Sequence, residues 1–68
     1  MKPLRRISWQ LGDSATGLHH TGYGRASNHE PYTMDDVHWL NRAFRDRGLE
    51  FFLEEYHEDA GDFVRVTP

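Results

Sequence analysis

Five histidines could supply imidazole ligands to a metal ion: His19, His20, His29, His38 and His57. A zinc site needs three or four ligands that converge on one ion at tight spacing. Adjacent histidines on a strand point to opposite faces, and the chain holds no H-E-x-x-H motif. Convergence of His29, Glu30 and His38 through the loop is the alternative that the spacing leaves open. We predict that the protein has neither a metal site nor a cofactor.

Catalytic patterns are missing as well. The chain contains no cysteine, and its serines lack the context of a nucleophile elbow. Carboxylates are plentiful, but no spacing selects an acid and base pair. The glycine-rich stretch of residues 22–25 (G-Y-G-R) matches neither a phosphate-binding loop nor a dinucleotide fingerprint, and a bulged strand or a flexible loop explains it better. A chain of 68 residues can hardly enclose a substrate pocket. We therefore predict that it is not an enzyme.

Charge is distributed unevenly along the chain, whose formal net charge is −3. Residues 1–33 hold four basic side chains against two acidic ones, and residues 34–68 hold four arginines against nine carboxylates. The basic character that typifies nucleic-acid-binding domains is absent from the chain as a whole. Residues 50–62 contain six carboxylates and neither lysine nor arginine. This acidic hairpin could steer a basic partner, with Phe52, Glu54, Tyr56 and Glu58 as contacts, or it could simply be a solvated strand face that prevents aggregation.

One helix is specified at both ends, over residues 33–48. Thr33 and Asp36 have the spacing of a capping box, and Gly48 is suited to the left-handed residue that ends many helices. An apolar stripe at i, i+3 and i+7 predicts the buried face, formed by Val37, Leu40 and Phe44.

Trp39 lies outside that apolar stripe, on the polar side of the helix. Asp35 and Arg42 are its neighbours one turn away in each direction. Tryptophan and arginine are enriched at binding hot spots, so these three residues are candidate partner contacts. The alternative is that Trp39 packs at the rim of the core beneath the loop of residues 26–32, because small proteins need their large aromatic side chains to fill the core.

Four segments alternate or cluster apolar residues in the way that strands do. They are residues 4–11, 18–25, 49–56 and 63–66, with turns at 12–17 and 57–61. This pattern therefore predicts a small single α+β domain over residues 1–68, with flexible ends at 1–3 and 67–68. Its order is β-β-α-β-β, an antiparallel-rich sheet with one helix packed on one face. The strand order stays open between a β-grasp-like arrangement and a simple meander.

The function that these features favour is a non-enzymatic module that binds and modulates or inhibits a larger protein, one with a basic surface. In type, a small, acidic, cysteine-free ββαββ protein with exposed aromatics resembles phage-encoded inhibitors and anti-defence proteins. The alternative is a nucleic-acid-binding or nucleotide-binding protein that uses its basic half, through Lys2, Arg5, Arg6, Tyr23 and Arg25. Self-association that shields apolar surface is a third possibility. The absence of cysteine suits a reducing compartment, and no apolar span or secretory signal is visible, so we expect a cytoplasmic protein without membrane contact.

Overall fold

A computed structural model describes residues 2–13 and 18–67 of the chain. Its elements follow in the order β1 (Arg5–Asp13), β2 (Leu18–Tyr23), α1 (Met34–Ala43), a short 3-10 helix (Arg45–Arg47), β3 (Leu49–His57) and β4 (Asp62–Arg65). The predicted α+β class and β-β-α-β-β order are confirmed. The predicted turn at residues 12–17 falls mainly on 14–17, which lie outside the described residues, as do residues 1 and 68 of the predicted flexible ends.

The four strands form one sheet in the order β2-β1-β3-β4, and every pairing is antiparallel. Two hairpins, β1-β2 and β3-β4, are thus joined through their first strands. This order differs from a simple meander, in which spatial neighbours follow the chain. It also differs from a β-grasp, which contains a parallel central pair. The register places Ile7 opposite Leu53 and Trp9 opposite Phe51, so these four apolar residues share one face of the sheet.

The helix begins with the predicted capping box. Thr33 Oγ1 accepts a hydrogen bond from the Asp36 backbone N–H at 3.4 Å, and Asp36 Oδ2 accepts one from the Thr33 N–H at 2.9 Å. Its end differs from the prediction, because the α-helix stops at Ala43. Phe44 leaves the helical region with φ −114°, and a 3-10 turn follows. Gly48 then has φ 71°, the left-handed conformation that its position predicted.

Helix α1 is fixed to β3 by a polar side chain that the apolar stripe did not predict. Strand β4 pairs only with the second half of β3, so the backbone of Phe51 has no strand partner on that side. Asn41 takes this place: its Oδ1 accepts from the Phe51 N–H at 2.8 Å, and its Nδ2 donates to the Phe51 carbonyl at 3.2 Å. The amide thus satisfies two edge groups of the sheet that would otherwise need solvent.

The core lies between α1 and β3 and is small. Among the described residues, the buried hydrophobic side chains are Val37 and Leu53. Leu40 and Phe44, the other members of the predicted stripe, are half-buried. Phe44 packs against Phe51 with ring centroids 5.7 Å apart. The helix stripe therefore does cover the sheet, but over a narrow area.

Gly22 of β2 lies in close contact with the Trp9 ring of β1, and a first prediction follows from this contact. An added Cβ at Gly22 would lie 2.7 Å from Cζ2 of the Trp9 ring, whereas one at Gly24 would meet nothing closer than the Ile7 carbonyl at 3.8 Å. We expect Gly22→Ala to lower the free energy of unfolding by about 1–3 kcal/mol, because the indole must move out of a packed position. Urea denaturation of both alanine variants measures this. Equal destabilisation by Gly24→Ala would contradict it.

Candidate functional site

Trp39 stands at the edge of a groove between α1, β1 and the loop that precedes the helix. This Trp39 groove has a volume of about 480 Å³ and is lined by Ile7, Glu30, Pro31, Tyr32, Asp36, Trp39 and Leu40. The indole remains 60% exposed. Trp39 therefore has features of both interpretations. It lies beside the loop, as a residue at the rim of the core would, and most of its surface stays exposed, as a partner contact requires.

The loop wall of the groove is held to β1 by contacts between residues far apart in the sequence. Arg5 and Ser27 form an isolated antiparallel bridge, with N–H to carbonyl distances of 3.0 and 2.9 Å. The Arg5 guanidinium also donates to the Tyr32 carbonyl at 3.0 Å. The capped helix starts directly after Tyr32, so the loop and the helix are positioned as the two sides of one groove.

The charged side chains that line the groove are acidic. They are Glu30 from the loop and Asp36 from the first turn of the helix. Asp35 and Arg42, the predicted neighbours of Trp39, are exposed on the helix and do not line the groove. The predicted helix contacts therefore share one exposed surface, with Trp39 alone reaching the concave part.

The other predicted contacts lie on the opposite side of the sheet. Phe52, Glu54 and Tyr56 alternate with the core-facing residues of β3, so they belong to the open face, the sheet face turned away from α1. Glu58 lies in the exposed segment that joins β3 to β4. The structure therefore does not bring the helix candidates and the strand candidates together into a single surface.

Two carboxylates of the acidic hairpin are ion-paired with β1. The Arg6 Nε donates to Glu54 at 2.8 Å, and the Arg5 Nε donates to Glu55 at 2.9 Å. These pairs could not be predicted from the sequence, because the partners lie about fifty residues apart. They become neighbours through the register of β1 with β3. The row of acidic side chains is thus interrupted at its centre, and Glu50, Glu58, Asp59 and Asp62 are its exposed members.

Three of the four basic residues of the alternative hypothesis, Lys2, Arg5 and Arg6, are also engaged. Besides the two pairs just described, Lys2 Nζ donates to the His29 carbonyl at 2.9 Å. The Arg6 guanidinium lies between two aromatic rings, 4.0 Å from the centroid of Tyr23 and 3.9 Å from that of Phe63. These contacts hold the three side chains against acidic, aromatic and backbone groups of the protein itself.

Glu55 gives a prediction about pH. The hydrogen bond from Arg5, and then the one shared with His57 at 3.0 Å, hold the pKa of Glu55 below its ordinary value. A lowered carboxyl pKa stabilises the folded state above the ordinary pKa, and that contribution is lost as the pH falls through the lowered value. We expect the difference in unfolding free energy between wild type and Glu55→Gln to shrink from neutral pH to about pH 3. A difference that stays constant over this range would contradict the prediction.

In residues 2–13 and 18–67, no group of three or more histidine, cysteine, aspartate or glutamate side chains is arranged to hold a metal ion. No helix of that part of the chain is long and apolar enough to cross a membrane. No protein-family model, no curated protein and no solved structure matches this chain. The geometry of its surfaces is therefore the basis on which a function can be argued.

Proposed function

We propose that this protein is a non-enzymatic interaction module that binds a larger protein through the Trp39 groove and thereby modulates or inhibits it. The observation that carries the proposal is a tryptophan 60% exposed at the edge of a groove whose walls are fixed. Its small size, acidic charge and lack of cysteine support a cytoplasmic inhibitor of the phage-encoded type.

An exposed tryptophan gains much from burial by a partner. The indole offers a large apolar area at little cost in conformational entropy, because only two side-chain torsions need to be fixed. Ile7 and Leu40 extend this area into the groove, while Pro31 and Tyr32 close its other side. A partner side chain inserted there would be enclosed on several sides, which is the setting of a binding hot spot.

The partner chemistry that fits is an aliphatic or aromatic side chain next to a lysine or arginine. The apolar side chain would fill the groove, and the cation would meet Glu30 and Asp36 at its margin. The formal charge of −3 would attract a basic surface over a longer range. Such steering raises association rates and is weakened by salt.

Affinity capture with the immobilised full chain tests the proposal. We expect the wild type to retain a specific protein that Trp39→Ala fails to retain, whereas Tyr23→Ala retains it. Tyr23 is a matched control because it is also an exposed aromatic residue, 64% exposed, but lies on the open face. Equal capture by Trp39→Ala would show that the groove is not the binding surface. If the wild-type chain captures no specific protein, the proposal that it is an interaction module is wrong.

A further inference from the structure

The open face of the sheet contains a second concave site, on the side opposite the Trp39 groove. At its floor is Ser8 of β1, which the register places between Tyr23 of β2 and Phe52 of β3. Because serine is much smaller than its two aromatic neighbours, the sheet surface is depressed there. The resulting sheet cleft has a volume of about 220 Å³, and the residues that line it include Arg6, Ser8, Thr21, Phe52, Glu54 and Arg65.

The Ser8 hydroxyl is the unexplained group of this cleft. Its Oγ is buried and has no hydrogen-bond partner. A buried hydroxyl without a partner is unfavourable, and a bound water or ion is one explanation for such a group in a native structure. Ser8 lines a cleft that is open to solvent, so a group bound there would lie next to the buried Oγ and, after a small adjustment of the cleft wall, could supply the missing partner.

Two arginines bring hydrogen-bond donors to the same cleft. Arg65 lies with its guanidinium carbon 3.6 Å from the Phe52 ring centroid, and Arg6 is held between Tyr23 and Phe63. A guanidinium stacked on a ring keeps its N–H groups at its edges, in the plane parallel to the ring. The stacking therefore holds both guanidinium groups in place. The Nε of Arg6 already donates to Glu54, and the edge of Arg65 remains suited to an acceptor.

The same stacking argues against nucleobases as ligands. Single-stranded nucleic acids bind to sheets by stacking bases on free aromatic rings. Here guanidinium groups already lie over Tyr23, Phe52 and Phe63. What the cleft offers is N–H and O–H donors. Two arginines against the one carboxylate of Glu54 give its lining an excess positive charge, in a chain that is acidic overall.

We propose that the sheet cleft binds a phosphate group. The fork of a guanidinium matches phosphate oxygens, and the Ser8 and Thr21 hydroxyls can donate to the same anion. The volume lies below the range of pockets for drug-sized ligands, so the cleft suits the phosphate itself or a small phosphate ester. This site is independent of the proposed partner surface, because it lies on the other face of the sheet.

Nuclear magnetic resonance titration with inorganic phosphate, against sodium chloride at matched ionic strength, tests the proposal. We expect saturable shifts of the Ser8 and Thr21 backbone amides and of the Arg65 Nε–H, with phosphate and not with chloride. A parallel titration with glycerol phosphate shows whether the cleft prefers free phosphate or a small phosphate ester. Tighter binding of the ester indicates a small phosphorylated metabolite, and equal or weaker binding indicates free phosphate. Shifts that do not saturate, or that chloride reproduces, would overturn the site.

Variants identify the groups responsible. Arg65→Gln should weaken phosphate binding about tenfold, the loss expected for a charge-assisted hydrogen bond, whereas Arg45→Gln on the 3-10 helix should not change it. Ser8→Ala should raise the melting temperature in phosphate-free buffer and reduce the further rise that phosphate gives the wild type. If Arg65→Gln and Ser8→Ala bind phosphate as Arg45→Gln does, the cleft is not the site. Trp39→Ala should leave the phosphate response unchanged, so failure of this proposal is distinguishable from failure of the interaction module.

Discussion

Leu53→Ala is expected to lower the free energy of unfolding by about 2–5 kcal/mol, the usual cost of truncating a buried leucine. Leu53 is 1% exposed and lies on the core-facing side of β3, opposite Ile7 of β1 and beneath α1. Only Val37 is comparably buried among the described residues, so little other packing can compensate. Domains of this size have only about 5 kcal/mol of stability or less, and we therefore expect a large unfolded fraction at room temperature.

Urea denaturation followed by circular dichroism measures this effect, with Val64→Ala as the control. Val64 is also an aliphatic residue on the β3-β4 ladder, paired with Glu55, but it is 37% exposed. Its truncation should cost about 1 kcal/mol or less, because much of the side chain is already in contact with water. A Leu53→Ala protein as stable as Val64→Ala would mean that the core does not lie between α1 and β3.

Trp39→Ala is the second change with a large expected effect, and its effect concerns binding and not folding. Removing a tryptophan from the centre of an interface commonly weakens association by about 2 kcal/mol or more, roughly thirtyfold in the dissociation constant. Because the indole is 60% exposed in the free protein, the variant should keep its stability to within about 0.5–1 kcal/mol. A folded protein with impaired binding is therefore the expected outcome.

A companion substitution separates charge from burial at the same groove. Glu30 is exposed in the loop and lines the groove without taking part in the helix cap, unlike Asp36. We expect Glu30→Lys to slow association with the captured partner and to reduce the salt dependence of the rate, because steering charge acts mainly on encounter. Stopped-flow mixing at two salt concentrations measures it. An unchanged rate at low salt would exclude a basic partner segment at this margin.

Local signals in the sequence predicted the elements well. The capping box of Thr33 and Asp36 is a short-range motif, and the left-handed Gly48 is set by its own backbone freedom. The end of the helix was less predictable. Phe44 belongs to the apolar stripe, yet its backbone leaves the helix where its ring packs on Phe51. The α-helix thus ends at a residue that makes a tertiary contact, inside the span that the local signals predicted.

Features that depend on pairing between distant segments could not be predicted. The strand order and the ion pairs of Arg5 and Arg6 both follow from β1 lying beside β3, which no local pattern encodes. The role of Asn41 could not be predicted for the same reason. The sequence places it on the helix, but its hydrogen bonds with Phe51 depend on the unpaired edge of β3 beside it. Glu54 was predicted as a free acidic contact, and the structure pairs it with Arg6.

The candidate site also has a part that local signals predicted and a part that depends on distant segments. Helical spacing placed Trp39 outside the apolar stripe, and its exposure agrees with that prediction. The alternative prediction had placed Trp39 beneath the loop of residues 26–32, and that loop does form one wall of the groove. The wall formed by Ile7 and the bridge between Arg5 and Ser27 were missed, because both depend on β1, a distant element. Pro31, directly before the capped helix, was the available signal, since it requires an extended approach to the helix start.

The dissociation constant of the captured partner, measured by titration calorimetry, tests the central claim most directly. Wild type, Trp39→Ala and Tyr23→Ala are compared after circular dichroism shows that all three are folded. The proposed function predicts that Tyr23→Ala binds like the wild type and that Trp39→Ala binds at least about thirtyfold more weakly. Wild-type affinity of Trp39→Ala, or an equal loss in both variants, would contradict the assignment of the Trp39 groove as the partner surface.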